Sequence, residues 1–170
     1  MNQKPKFDVI FHLKALARIQ PSFKNPHEVF KVNVLGTENV LEYARRDNIP
    51  VIYAGSSSTH GDHYANPYTF TKWQGELLCE MYNKVYNLPT VITRFYNVYG
   101  PHQILDGAYA AVIGIFENLY THNKTLTVTG DGEQRRDFTH VEDIVDGIVK
   151  CPTNQEIASV KTFELGRGKS

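Results

Sequence analysis

Short apolar runs and longer segments of helical period alternate along the first half of this 170-residue chain. Asp8-Val9-Ile10-Phe11-His12-Leu13 is a compact apolar run after a short polar lead, and it predicts a strand. Val51-Ile52-Tyr53-Ala54 and Thr90-Val91-Ile92-Thr93-Arg94-Phe95 predict two more. Between the first two, a connection over 14–24 leads to Asn25-Pro26, which opens a helix to about Arg46. Its apolar positions Val29, Val32, Leu35, Val40, Leu41 and Ala44 keep roughly helical spacing. Gly36 interrupts it, at a cost of about 1 kcal/mol against Ala, and predicts close packing there. Ile49-Pro50 ends that region, and Asn66 caps a further helix that starts at Pro67 and runs to about Tyr86. Trp73, Leu77, Leu78, Met81 and Val85 form its apolar side, and Leu88-Pro89 breaks it. Strand, helix, strand, helix, strand is the signature of an α/β fold: a parallel sheet with crossover helices.

From Asn97 the rhythm changes. Tyr99-Gly100-Pro101 predicts a turn, 108–120 a helix, 126–128 a short strand and Gly130-Asp131-Gly132 another turn. A small strand over 136–140, a helix from Val141 to about Lys150 and a last strand over 162–165 complete the pattern.

Composition narrows the function classes. Eighteen basic and eighteen acidic residues give a formal net charge of zero, which leaves no electrostatic footprint for nucleic acid. No apolar run has membrane-spanning length and the N-terminus is not signal-like. Cys79 and Cys151, placed in predicted helices, lack metal-ligand spacing and read as reduced structural thiols, which points to a cytoplasmic setting. His60, His63, His102 and His140 show no metal spacing either, so no metal site is expected. His12, ending a strand, reads as a packed histidine.

The candidate chemistry lies at Ser56-Ser57-Ser58-Thr59-His60-Gly61-Asp62 and the helix after it. The hydroxyls follow a strand, at the end where open α/β sheets hold ligands. Tyr68 and Lys72 are four apart and share a helix face. A phenol with a pKa of about 10 is a poor base at neutral pH. A neighbouring ammonium lowers that pKa, so Tyr68 can exchange a proton with a substrate hydroxyl while a serine holds the same oxygen. Side chains supply no hydride acceptor, so a nicotinamide cofactor is needed. The spacing alone is not diagnostic: Tyr120 and Lys124 repeat it without a serine cluster and read as surface.

Assembled, these residues resemble the extended short-chain dehydrogenase/reductase family, and most of all its epimerases and dehydratases of the UDP-glucose 4-epimerase type. The markers run in order: Phe11-His12-Leu13; Asn33-Val34-Leu35-Gly36-Thr37; the serine run to Gly61; Tyr68 with Lys72; Arg94 to Pro101; and Gly130 to Phe138. The resemblance implies a partial Rossmann-like sheet. Residues 1–96 would be the later part of a dinucleotide-binding domain, 97–140 a small substrate-binding portion, and 141–170 a return to the Rossmann-like layer. It implies Ser56, with Ser57 as second choice, Tyr68 and Lys72 as catalytic residues. Leu13, Ala15, Asn33 and Phe95, with Tyr68 and Lys72, would lie along NAD. Asn97 and Arg136 would meet the diphosphate of a nucleotide sugar, a role that suits an amide and a forked cation. The competing readings are a turn residue for Asn97 and an ion pair with Asp137 for Arg136. Relatives dimerise through helices corresponding to 26–46 and 66–86, which implies a homodimer.

The chain departs from the pattern in three ways. The loop from Ser56 to Tyr68 is short. Lys14 stands where a small residue is usual, and His60 where a tyrosine is common. No glycine-rich strand–turn–helix precedes Asp8, so the strand at 8–13 is expected to be an apolar edge, and the chain to be incomplete or to work with another chain that supplies that unit. Two functions follow: an NAD-dependent nucleotide-sugar epimerase, with dehydratase or reductase as variants, or a non-catalytic truncated homologue that binds a sugar nucleotide or a partner chain. No acidic residue beside Ser56–Thr59 supplies a dehydratase-type acid, which ranks epimerase above dehydratase.

Overall fold

The structure is a computed structural model and describes residues 7–151 and 161–168. Strand β1 (Ile10–His12) is followed by helices α1 (Ile19–Lys24), α2 (Pro26–Phe30) and α3 (Gly36–Asp47), the last two joined by a π-helical stretch, Lys31–Leu35. Strand β2 (Val51–Ser56), helix α4 (Pro67–Tyr86) and strand β3 (Thr90–Phe95) come next. Then follow β4 (Val98–Tyr99), α5 (Val112–Thr121), β5 (Thr139–His140), α6 (Val141–Val149) and β6 (Lys161–Leu165). The main sheet is parallel in the order β1-β2-β3-β6, with Ile10 opposite Val51 and Ser56 opposite Phe95. β4 and β5 form a separate parallel pair.

β2 is buried along its whole length, as a central parallel strand covered on both faces should be. Its alternate residues feed two cores. Val51 and Tyr53 join Ile92, Leu41, Ala44 and Cys79 beneath α3 and α4. Ile52 joins Val91, Ile148 and Cys151 beneath α6. Both long crossover helices end the same way. Asn48 after α3 and Asn87 after α4 adopt left-handed φ values of 50° and 54°, a conformation that asparagine tolerates. At the start of α4, Asn66 Oδ1 accepts from the Thr69 amide at 2.8 Å, the expected cap.

Several expectations need correction. The connection over 14–24 contains α1, and residues 126–128 form no strand. The helix expected from Ala108 starts at Val112, and the strand expected over 136–140 is confined to Thr139–His140. Cys151 lies just beyond α6, not within a helix; both cysteines are free and buried. Gly36 does not mark a close approach: a Cβ there would meet only the Lys31 carbonyl, at 3.8 Å. It sits where the π-helical stretch returns to α-helix, a change of backbone pitch that apolar spacing does not register.

The largest correction concerns α4. Leu77, Met81 and Val85, expected to face the core, are 41%, 39% and 61% exposed. The buried face carries Thr71, Lys72, Gly75, Glu76, Cys79, Tyr82 and Asn83. Its polar groups find partners inside, as Asn83 does in donating to the Leu88 carbonyl at 2.9 Å. Of the expected apolar side, Leu78 does pack against the core while Leu77, Met81 and Val85 do not, so hydropathy marks the buried side of this helix only in part.

Candidate active site

β2 delivers Ser56 as its last residue, and the chain then tightens into a single 3₁₀ turn, Ser57–His60. Ser56 Oγ accepts from the Ser58 amide at 3.3 Å, and Thr59 Oγ1 donates to the Ser56 carbonyl at 2.8 Å. These local bonds replace the ladder that the strand can no longer offer. The first turn of α4 then brings Tyr68 back, and its hydroxyl donates to Ser56 Oγ at 3.2 Å. Ser56 Oγ also lies 2.9 Å from Ser58 Oγ.

Lys72 stands one turn further along α4 and is buried. Its Nζ donates to the Ala54 carbonyl and lies 4.2 Å from the centre of the Tyr53 ring. Burial lowers its pKa to about 8, against the opposing pull of Cys79 and Glu76. The Tyr68 phenol is shifted the other way. Burial raises its pKa, while the Ser56 hydrogen bond and the Arg18 charge oppose that rise. The expected lowering of the phenol by Lys72 is thus not the net result. Desolvation outweighs the Ser56 hydrogen bond and the Arg18 charge together, and the cation that acts on Tyr68 is Arg18, not Lys72.

A cavity of about 890 Å³ opens at the carboxyl ends of β2 and β3. Ala15, Ser56, Tyr68, Phe95, Asn97 and Arg136 all line it, so six of the residues singled out in the sequence meet at one place. Leu13 is 51% exposed and does not line it. Asn33 is buried with its amide engaged: Oδ1 accepts from the Leu16 amide at 2.8 Å, and Nδ2 donates to the Leu16 carbonyl and to Thr71 Oγ1. It pins the loop after β1 to α4. Asn97 has a φ of 22° and donates to the Asp137 carbonyl at 2.9 Å, so it shapes the turn and lines the cavity together. Arg136 is not paired with Asp137, whose carboxylate accepts instead from the amides of Arg167 and Gly168. Asn97 and Arg136 also border a neighbouring cavity of about 490 Å³, shared with Phe116, Gln134 and Phe138.

Sequence reasoning missed two features of the site. Arg18 lines the cavity and donates from Nε to the Tyr109 carbonyl at 2.9 Å. Its signal was a second cation, after Lys14, closing the small apolar stretch Ala15-Leu16-Ala17 beyond a strand end. Behind the serine turn, buried Glu76 holds Arg94 through two hydrogen bonds, of 2.7 and 3.1 Å. Arg94 also donates to Glu164, whose other oxygen meets His60 and Tyr96. Glu76 lies four residues after Lys72 on the same helix, a spacing that was visible in the sequence. His12 is a packed histidine, as expected: it meets Thr37 Oγ1 at 2.9 Å, and burial lowers its pKa to about 4.

A family model described as the NAD dependent epimerase/dehydratase family matches residues 1–166. The chain belongs to that family. NAD is the cofactor of the epimerase/dehydratase family, and its Rossmann-like parallel sheet with crossover helices is the architecture described above. Among its curated members, the uncharacterized UDP-glucose epimerase YtcB of Bacillus subtilis (strain 168) is 36% identical over 154 residues, covering 83% of this chain and 48% of that protein. Protein CapI of Staphylococcus aureus is 36% identical over 164 residues, covering 86% of this chain and 48% of that protein. A UDP-N-acetylglucosamine 4-epimerase from Methanobrevibacter ruminantium M1, solved with UDP-N-acetylmuramic acid, superposes with a TM-score of 0.87 at 28% identity, over 95% of this chain and 56% of that one. A UDP-glucuronic acid 4-epimerase from Bacillus cereus, solved with UDP-glucuronic acid and NAD, gives a TM-score of 0.80 at 30% identity, over 96% and 55%. The chain spans about half the length of the curated relatives it matches.

Proposed function

We propose that this chain carries the proton-transfer site of an NAD-dependent nucleotide-sugar epimerase of the UDP-glucose 4-epimerase type. The observation that carries the reading is the Tyr68 hydroxyl held 3.2 Å from Ser56 Oγ on the wall of the strand-end cavity. The residues present fit the nicotinamide end of the cofactor: hydroxyls and a buried amine stand beside a wall kept low by Ala15 and Ala17. Tyr68, Phe95 and Ala15, which line the cavity, would hold that end; Lys72 is buried and does not line it. When bound, NAD supplies a hydride acceptor that returns the hydride to the sugar.

The protein's own part is binding and proton handling. Tyr68 takes the proton of the sugar hydroxyl and gives it back, and Ser56 Oγ holds the same oxygen. Lys72, with its pKa lowered to about 8, sits one turn along the same helix, close to neutrality. Asn97 and Arg136 receive the diphosphate. Epimerisation is favoured over dehydration because the carboxylate behind the serine turn, Glu76, is buried and committed to Arg94.

The chain is proposed to work as a homodimer. Leu77, Met81 and Val85 on α4, with Leu35 and Tyr43 on the preceding helical segments, leave apolar side chains uncovered on the segments expected to pair.

The test is interconversion of UDP-glucose and UDP-galactose in the presence of NAD, with and without a second chain that supplies the glycine-rich unit. Turnover is expected, and Tyr68→Phe should lower kcat by about 10²- to 10⁴-fold, the usual worth of a positioned acid–base group. No turnover of either sugar in either case, or a Tyr68→Phe variant as active as native, would reject the reading.

A further inference from the structure

Arg18 has a φ of 122° and a ψ of 135°, a backbone conformation that side chains other than glycine rarely occupy. Such a conformation is strained, and it persists only where the surroundings fix it. Here the Nε bond to the Tyr109 carbonyl, 91 residues away, does so. A glycine would relieve the backbone and give up that one exposed bond, yet the chain places a cation there.

The location is specific. Arg18 lines the same cavity as Ser56 and Tyr68, and its charge acts on the Tyr68 hydroxyl. No carboxylate lines that cavity among the described residues, and neither Arg18 nor Arg136 is paired with one. Two guanidiniums thus face a single volume. Arg136, with Asn97, continues into the neighbouring cavity, while Arg18 stays beside the proton-transfer pair and borders a smaller recess with Tyr99 and Phe138. With Nε engaged, the two Nη atoms have no partner among the described residues. That free edge is a planar fork matched to a carboxylate.

We propose that Arg18 makes the sugar end of the cavity selective for a nucleotide sugar that carries a carboxylate on its ring. The proposal rests on the sugar-nucleotide reading given above. An arginine can also meet the diphosphate, so the experiment separates the two anionic groups.

Titration calorimetry with UDP-glucuronic acid, UDP-glucose and UDP on native protein, Arg18→Gly and Arg18→Lys decides it. Native protein should bind UDP-glucuronic acid at least about tenfold more tightly than UDP-glucose, in line with one charge-assisted bidentate contact. Arg18→Gly should erase the difference between the two sugars and leave the affinity for UDP within about twofold, while Arg18→Lys keeps part of the preference. The melting temperature of Arg18→Gly should equal or exceed that of native protein, because glycine relieves the positive φ; this separates lost recognition from lost folding. Equal native affinities for the two sugars would overturn the proposal. So would a parallel weakening of all three ligands in Arg18→Gly, which would assign the residue to the diphosphate. If none of the three binds native protein, the sugar-nucleotide reading itself falls, and this one with it.

Discussion

Lys72 takes an ionisable amine into a site with one carbonyl partner and an aromatic ring beneath it. Folding lowers its pKa from 10.5 to about 8, so between those values the unfolded chain holds the proton and the folded chain has released it. Stability contributed by this residue therefore rises as pH climbs through that window and is absent below it. Lys72→Met should remove the rise. The difference between native and variant unfolding free energies, followed by urea denaturation from pH 7.5 to 11, is expected to change by an upper bound of about 3 kcal/mol. A difference that stays flat across the window would mean that Lys72 keeps its ordinary pKa. At this scale the sequence was informative where chemistry leaves a spacing. Tyr68, Lys72 and the serine run stand within seventeen residues of one another. Arg18 was harder to see because its distinguishing property is a dihedral angle, and Asn33 because its amide is spent on a loop carbonyl and amide that only the fold brings near.

Helix α4 is held to the sheet at Gly75. A Cβ there would lie 2.1 Å from the Tyr53 hydroxyl oxygen, inside the core shared by β2 and α4. Gly75→Ala should destabilise the chain by about 1–3 kcal/mol through overpacking, despite the better helix propensity of alanine. Gly36→Ala, with nothing nearer than 3.8 Å, should be neutral or stabilising by up to about 1 kcal/mol. Chemical denaturation of the two variants side by side checks the contrast; equal shifts would show that the close approach at Gly75 is relaxed without cost. The sequence flagged the wrong glycine because it reads interruptions of a pattern, and α4 offers two plausible faces. Its sheet-facing side is largely polar, and its burial depends on partners such as Leu88 and Arg94 from other elements. The starts of β2 and β3 and the Asn66 cap were legible because their signals are local, whereas β1 is shorter than the apolar run 8–13 and β2 runs on past Ala54 to Ser56.

Across the molecule, the apolar row Leu77–Met81–Val85 is on the surface, while the helix bearing it is anchored by its opposite side. Sedimentation equilibrium is expected to show a dimer, and Met81→Glu a monomer with an unchanged far-UV circular dichroism spectrum. A native monomer would refute the pairing of these helices. The alternation of strands and helices was readable because β2 and β3 are short and each directly follows a helix-ending stretch, Asn48-Ile49-Pro50 or Asn87-Leu88-Pro89. After Asn97 the two helices and the last strand were legible, but the two-residue strands were not, since they are fixed by tertiary bonds such as that from Asn97 to Asp137. The pairing of Ser56 with Phe95 has one further consequence. Side chains alternate between the two faces of a sheet, so sliding β2 by a single residue would swing the serine hydroxyl to the opposite face, away from the phenol. The backbone ladder is thus a ruler for the reaction as well as a scaffold. An inserted or deleted residue inside β2 would mis-set the chemistry even where enough of the interior survived for the chain to stay folded.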